Sequence, residues 1–287
     1  MTSAAREKKF YVWDTYWDTN QVYSFGIDNQ PRVAATLANF WAWLSGALPP
    51  GSNVLDVACG NGAAALILSR AAKKAGRPMT VTGIDEAAID PVRTVPEHAT
   101  DLAEITFRPR VAMEDLPFPD ASFDIVYSSN VLEHVEDPPQ VLREAFRVLK
   151  PGGTLQIVCP NYLSYFDGHY GALHPPIFSN SFFQGWMKWV YRKDPSFAAT
   201  IRTQVNAVWA KRQLREIGRT VPLEVLTLGE AKFLERMDTM VFGQWMRMGV
   251  VGKLVEIARA LRINKLAARL IVALRGWTPL IITARKL

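Results

Sequence analysis

Cysteine is nearly missing from this chain. Only Cys59 and Cys159 occur among 287 residues, so no disulfide framework can hold the fold, and a reducing, cytoplasmic setting is expected. Long apolar runs are missing too. No window reaches the roughly 20 uninterrupted apolar residues that span a bilayer. The opening stretch, MTSAAREKKF, has no apolar core of the signal-peptide kind. Histidine is scarce: His98, His134, His169 and His174 are the full set, which narrows the search for a base that works near neutral pH. Basic and aromatic residues do not interleave along a stripe, so no nucleic-acid partner is expected. The positive excess is modest, net +6 with a pI near 9.3. It permits anionic partners or membrane surfaces without requiring them.

What is present is an ordinary globular composition, 49% hydrophobic and 21% charged, enough for one large domain or a domain with an added cap. Residues 1–30 are aromatic and polar without a period and read as a lid segment, and a helical pattern runs from Val33 to Leu48. From there, apolar runs alternate with helical patterns. NVLDVA, MTVTGID, EITFR, SFDIVYSS and TLQIVCP read as strands, with helices over 62–75, 91–102 and 138–149 between them. Such alternation argues for a parallel sheet covered by helices on both faces. It stops at Pro160. Residues 161–205 read as an irregular insertion rich in aromatics, Pro, Gly, Ser and Asn, a length that usually carries function. A helix from Thr203 to Ile217, a strand VPLEVLTL, a basic helical stretch over 230–277 and a last strand PLIITARK complete the chain.

The most informative stretch is VLDVACGNGAAALIL, Val54 to Leu68. Gly60 and Gly62 carry no Cβ and let backbone approach a ligand closely. A dinucleotide site would need a third glycine and would aim a helix N-terminus at pyrophosphate. Here the third position is Ala65, and Asp56 places a carboxylate beside the turn. Negative charge repels phosphate and suits a cationic, donor-bearing ligand. Asp85, ending the second strand, is placed to accept hydrogen bonds from ribose hydroxyls.

VLDVACGNG, VTGID, MEDLPFPDASFDIVYSSNVLEHVEDP and VLREAFRVLKPGGTLQIVCPN together resemble the class I S-adenosylmethionine-dependent methyltransferases, in particular the small-molecule enzymes of ubiquinone and menaquinone biosynthesis. The resemblance covers about 50–162, extends weakly to 229 and returns at the final strand. It implies a Rossmann-like α/β fold: a seven-stranded sheet, mostly parallel with an antiparallel last strand, helices on both faces, and a helical and aromatic cap. It implies S-adenosylmethionine as cofactor, held by Asp56, Ala58, Cys59, Gly60, Gly62, Asp85, Glu86, Met113, Glu114 and Asn130. Two positions depart from the family pattern. Ala58 replaces a glycine, and Ala112-Met113-Glu114 stands where relatives have Asp-Ala-Glu, whose Asp accepts the adenine amino group. Either Glu114 substitutes or backbone groups hold the adenine.

For a hydroxyl acceptor a general base is needed. His98 reads as a surface residue. His134, just beyond the fourth strand, reads either as a loop cap or as catalytic. His169 and His174 cluster with Tyr165, Asp167 and Tyr170, and read either as substrate-facing or as loop packing. His134 and His169 are the catalytic candidates. Some ubiquinone-type O-methyltransferases carry Glu-x-x-Glu-His here and bind a divalent ion through it. This chain has Asn130 at the first Glu, which weakens a hard-cation site, so no metal is expected.

The sequence therefore reads as a 1–30 lid followed by a 31–287 methyltransferase domain with insertions at 161–205 and 230–277. The expected reaction is methyl transfer to a small organic acceptor, at oxygen. Tyr11, Trp13, Tyr16, Trp17, Phe166 and Tyr170 would form an apolar lid. Over 237–277, apolar residues at helical spacing alternate with Arg and Lys, which reads either as a helical excursion with its apolar face inward or as a peripheral membrane contact serving a lipid-like acceptor. A non-catalytic cofactor-binding domain and an NAD-type oxidoreductase are the alternatives.

Overall fold

The structure, a computed structural model, describes residues 33, 36–37, 40, 49–88, 90–91, 96–167, 169–170, 172–176, 179–239, 253, 257–258 and 260–287. The expected 1–30 lid, with Tyr11, Trp13, Tyr16 and Trp17, lies outside them. So do most of the expected 33–48 helix and much of 240–259.

The strands are β1 (Asn53–Val57), β2 (Thr80–Asp85), β3 (Thr106–Pro109), β4 (Phe123–Ser129), β5 (Leu149–Cys159), β6 (Phe166–Asp167), β7 (Ala172–Leu173), β8 (Leu223–Thr227) and β9 (Leu280–Lys286). The helices are α1 (Ala63–Lys74), α2 (Ala99–Leu102), α3 (Pro138–Val148), α4 (Asn180–Trp189), α5 (Ser196–Thr200), α6 (Ala207–Ile217), α7 (Glu230–Thr239) and α8 (Asn264–Ala273). Seven strands form one mixed sheet in the order β3-β2-β1-β4-β5-β9-β8, its last strand antiparallel. β1 pairs in parallel with β2 on one side and β4 on the other. The strand order reverses at β1, and in open α/β sheets ligands bind outside the carboxyl ends of the strands at such a point.

Two compact units make up the chain, Met1–Ser129 with Gln140–Gln156 and Lys286–Leu287, and Asn130–Pro139 with Ile157–Arg285. In the first, β1 is buried on both faces except at Asn53. The alanine-rich α1 presses Ala63, Ala65, Leu66 and Leu68 into a core with Phe40, Val54, Val81, Leu102, Ile125 and Tyr127. Small side chains let this helix lie close to the strands, and Lys73 and Lys74 in its last turn suit the negative end of its dipole. Arg147 of α3 ties this unit together: its guanidinium donates to Glu144, to Asp120 and to the carbonyls of Leu116 and Phe118.

In the second unit, the 161–205 stretch is more regular than its composition suggested. β6 and β7 pair as an antiparallel hairpin. Tyr162, Ala172, Phe183, Met187, Ala198 and Ile201 form a small core under α4 and α5. Aromatic bulk supplies the burial that a helical period would otherwise advertise. The helix expected from Thr203 starts at Ala207, because the Asn206 side chain accepts from Val208 and Trp209 N–H and caps it there. Of the helix expected over 91–102, Pro91 is helical, residues 92–95 lie outside the described residues, and a 3-10 turn at Pro96–His98 leads into the single turn of α2.

Candidate functional site

The first group of residues lies in the first unit, at the carboxyl ends of β1 and β2. Asp56 is the penultimate residue of β1, pairs in register with Gly83 and is buried. The turn that follows is left-handed three times, at Ala58 (φ 59°), Gly60 (φ 53°) and Gly62 (φ 76°). Non-glycine residues seldom adopt this conformation, so Ala58 keeps the backbone shape of the glycine it replaces. Cys59 N–H donates to Ile84 C=O, Gly62 N–H to Cys59 C=O, and Ala63 N–H to the Asn61 side chain.

Asp85 clamps this turn. One carboxylate oxygen accepts from Gly60 N–H at 2.9 Å, the other from Ala87 N–H at 2.8 Å. Burial raises its pKa and these two bonds oppose the rise. Val111 N–H donates to Asp85 C=O, which brings the 111–114 segment, with Met113 buried and Glu114 half-buried, against the end of β2. The Glu114 carbonyl accepts from the Gln140 amide. Glu86 is half-buried beside Asp85. Asp56, the 58–62 turn, Asp85, Glu86, Met113 and Glu114 therefore share one edge of the sheet.

Two glycines here answer to packing. A Cβ on Gly62 would meet Phe107 at 2.7 Å, and one on Gly83 would meet Cys59 Sγ and Phe107 at 2.8 Å. Gly62, expected to let backbone approach a ligand, also leaves room for Phe107. Gly83 was not singled out from the sequence, because its partner at 107 lies on another strand. The Cys59 thiol is pushed up by burial and by the charges of Asp56 and Asp85.

The second group lies in the other unit. Asn130 leaves β4 with φ 58°, its N–H donating to Val158 C=O. The next residues form a tight turn in which His134 N–H donates to Val131 C=O. Arg202 holds this loop from outside, its N–H donating to Glu133 C=O and its Nε to Val135 C=O. The β6–β7 hairpin brings in His169. His134 Nε2 and His169 Nε2 are 3.3 Å apart, and each is 3.6 Å from Glu133 Oε1. The Glu133 side chain is 0% exposed, His134 6% and His169 19%. Phe197 of α5 lies against both imidazoles. The buried Asp167 accepts from Tyr170 N–H and is 3.1 Å from His169 Nδ1.

Neither carboxylate oxygen of Glu133 has a hydrogen-bond partner among the described residues. Burial pushes its carboxyl up to about 7, against the opposing charge of His169. For His169, burial alone would lower the pKa, but Asp167 and Glu133 outweigh it and hold the pKa above its usual value. His174 is different. Burial lowers its pKa, and its Nδ1 meets Pro175 C=O at 2.7 Å, so it is part of the packing. His98 sits beside Arg70 on the surface. The Tyr170 hydroxyl donates to Asp194 C=O and accepts from Ala198 N–H, and Phe166 is buried; both pack this unit.

A mixed seven-stranded sheet with a glycine turn and an acid-clamped second strand at its switch point is the methyltransferase type of α/β fold. Residues 55–157 match the model of a methyltransferase domain family. The chain is 33% identical over 148 residues to a 27-O-demethylrifamycin SV methyltransferase of Amycolatopsis mediterranei, covering 50% of this chain and 52% of that protein. It is 41% identical over 113 residues to a 2-methyl-6-phytyl-1,4-hydroquinone methyltransferase of Synechocystis, covering 38% and 32%. It is 34% identical over 160 residues to a demethylmenaquinone methyltransferase of Listeria monocytogenes, covering 52% and 65%. The chain thus spans about half the length of the first of these relatives. Among solved structures, a protein named as a sarcosine dimethylglycine methyltransferase of Galdieria sulphuraria superposes with a TM-score of 0.50 at 20% identity, over 89% of this chain and 84% of that one; this likeness concerns the fold. No helix among the described residues is long and apolar enough to cross a membrane.

Proposed function

We propose that the chain transfers a methyl group from S-adenosylmethionine to a hydroxyl oxygen of a small organic acceptor. The observation that carries this reading is the 56–62 turn clamped by Asp85, with a buried carboxylate at Asp56. The cofactor supplies a methyl group on a positively charged sulfur, which leaves as a neutral thioether once the methyl passes to oxygen. Asp56 offers a negative charge suited to the cationic amino-acid end. Gly60 presents backbone without a side chain, Asp85 and Glu86 retain acceptor capacity for ribose hydroxyls, and the 111–114 segment offers an apolar Met113 and the Glu114 carboxylate to an adenine ring. Holding both reactants in line contributes on the order of 7–11 kcal/mol at best. The cluster around Glu133, with His134 and His169 as its catalytic side chains, is assigned to the hydroxyl proton, whose removal speeds such reactions by roughly 10²–10⁴-fold.

Relatives named for hydroquinone and demethylmenaquinone methylation, and one named for a 27-O position, support an oxygen- or quinol-bearing acceptor. A lipid-like acceptor is the second reading. On α8 and at its C-terminal end, Leu266, Leu270 and Leu274 are 70%, 58% and 70% exposed, at the four-residue spacing of one helix face, with Lys265 and Arg269 on the same helix. Such a face suits an anionic lipid surface. The test is calorimetric titration with S-adenosylmethionine and NAD⁺, followed by turnover on hydroquinone acceptors with and without a prenyl chain. Binding of NAD⁺ alone would overturn the reading. Binding of S-adenosylmethionine without turnover on any hydroxyl acceptor would make this a cofactor-binding domain instead.

A further inference from the structure

Glu133, His134 and His169 present three ligand atoms to one point. Two imidazole Nε2 atoms are 3.3 Å apart, and a single carboxylate oxygen is 3.6 Å from each. Donor atoms around a tetrahedral zinc ion, each about 2.0–2.1 Å from the metal, lie about 3.3–3.4 Å from one another. The triangle in this protein is within a few tenths of an ångström of that figure.

The surroundings of His169 match as well. A metal-ligating histidine needs its other ring nitrogen to donate, which fixes the tautomer and frees a lone pair for the ion. Asp167 stands 3.1 Å from His169 Nδ1, and is itself anchored by Tyr170 N–H at 2.7 Å. With Nδ1–H donated to Asp167, His169 Nε2 carries the lone pair and points to the shared centre. A plain imidazole-to-imidazole hydrogen bond would account for the 3.3 Å separation. It leaves Glu133 unexplained. That side chain is fully buried, and neither oxygen accepts a hydrogen bond from a described residue. Buried carboxylates are normally paired, hydrogen-bonded or bound to a cation.

We propose that Glu133 Oε1, His134 Nε2 and His169 Nε2 bind a divalent transition-metal ion of the zinc class, leaving one coordination position open to an oxygen ligand. Two imidazoles and one carboxylate favour such an ion over magnesium or calcium, which take oxygen donors. His169 arrives from the hairpin 35 residues beyond His134 and adds a second nitrogen donor to the pair Glu133 and His134. Binding of the ion stands independently of the methyl-transfer reading. Only the role of the imidazoles touches that reading: with an ion bound they serve as its ligands, and they act as the base for the hydroxyl proton only in the metal-free protein.

The experiment uses the full chain, stripped with a chelator and titrated with Co²⁺ as a spectroscopic stand-in for zinc. The expected result is a visible absorption band that saturates at one equivalent and is displaced by Zn²⁺. Glu133→Gln and His169→Ala abolish the band while the far-ultraviolet circular dichroism stays that of the parent. Should Glu133→Gln fail to fold, His169→Ala carries the test. Asp167→Asn keeps the band with an affinity lower by about 10–100-fold. No band at millimolar Co²⁺, or an equal band in both ligand variants, overturns the proposal. So does a protein that binds only Mg²⁺ or Ca²⁺. A parallel calorimetric titration with S-adenosylmethionine separates the two readings. Cofactor binding without a cobalt band sinks the metal site alone, and a cobalt band without cofactor binding sinks the methyl-transfer reading alone.

Discussion

Asp85, half-buried at the end of β2, and Glu133, fully buried in the turn after β4, are both acids at candidate sites, and the chain treats them in opposite ways. Asp85 has a backbone N–H on each oxygen, from Gly60 and Ala87. Glu133 has none on either. The first carboxylate shapes its own loop with one bond on each oxygen, and keeps a further lone pair on each for a ligand. The second is surrounded by burial without hydrogen bonds, so the fold bears a desolvation cost there that returns only when a cation or a proton arrives. An acid bonded at each oxygen organises a site, whereas an acid with its bonds open is the part of a site that meets something else.

The largest effect expected on this contrast comes from Gly60→Val. A side chain there occupies the space the turn leaves for cofactor, and the left-handed φ of 53° is unfavourable for a branched residue. Calorimetry should find S-adenosylmethionine binding lost in a protein that still unfolds cooperatively; unchanged affinity would remove this turn from the site. Next is Gly62→Ala. The added methyl meets Phe107 at 2.7 Å in a left-handed residue, and overpacking together with that strain should cost about 2–4 kcal/mol, read by denaturant unfolding. A loss below half a kcal/mol would show that Phe107 yields freely.

The two acids should then part company directly. In metal-free protein, Asp85→Asn weakens two charge-assisted bonds and should lower stability by about 1–3 kcal/mol. Glu133→Gln removes a buried charge that has no hydrogen bond, and should leave stability within about 1 kcal/mol of the parent or raise it. Equal losses would erase the distinction. The smallest effect concerns a third acid. Glu144 has its pKa lowered, first by its bond to Arg147, so its stabilising contribution is complete above the ordinary glutamate range and drains away as pH falls through the lower folded value. Unfolding profiles of Glu144→Gln and parent should converge on the acid side of pH 4; curves that stay parallel would show the pair contributes nothing.

Much of the turn at the carboxyl ends of β1 and β2 was legible because it is local. Asp56, Gly60 and Asp85 fall in stretches where apolar runs stop at glycines or acids, and a parallel sheet brings neighbouring strand ends together without further information. The reason for Gly62 was not legible, since Phe107 reaches it only after β3 has been placed beside β2. The Glu133 cluster was legible in parts. His134 stood out beyond the fourth strand, and His169 beside Asp167 in the insertion. Their meeting depended on a two-residue hairpin and on Phe197, none of which leaves a period in the sequence. The complete burial of Glu133 leaves no mark in the sequence around it.

The Asp85 clamp has a kinetic consequence. Because a side chain already fixes the backbone at Gly60, an incoming nucleoside finds the cradle shaped before it arrives, and little ordering entropy remains to be spent on capture. Association should then run at an ordinary diffusive rate, with a single phase and no slow tightening step.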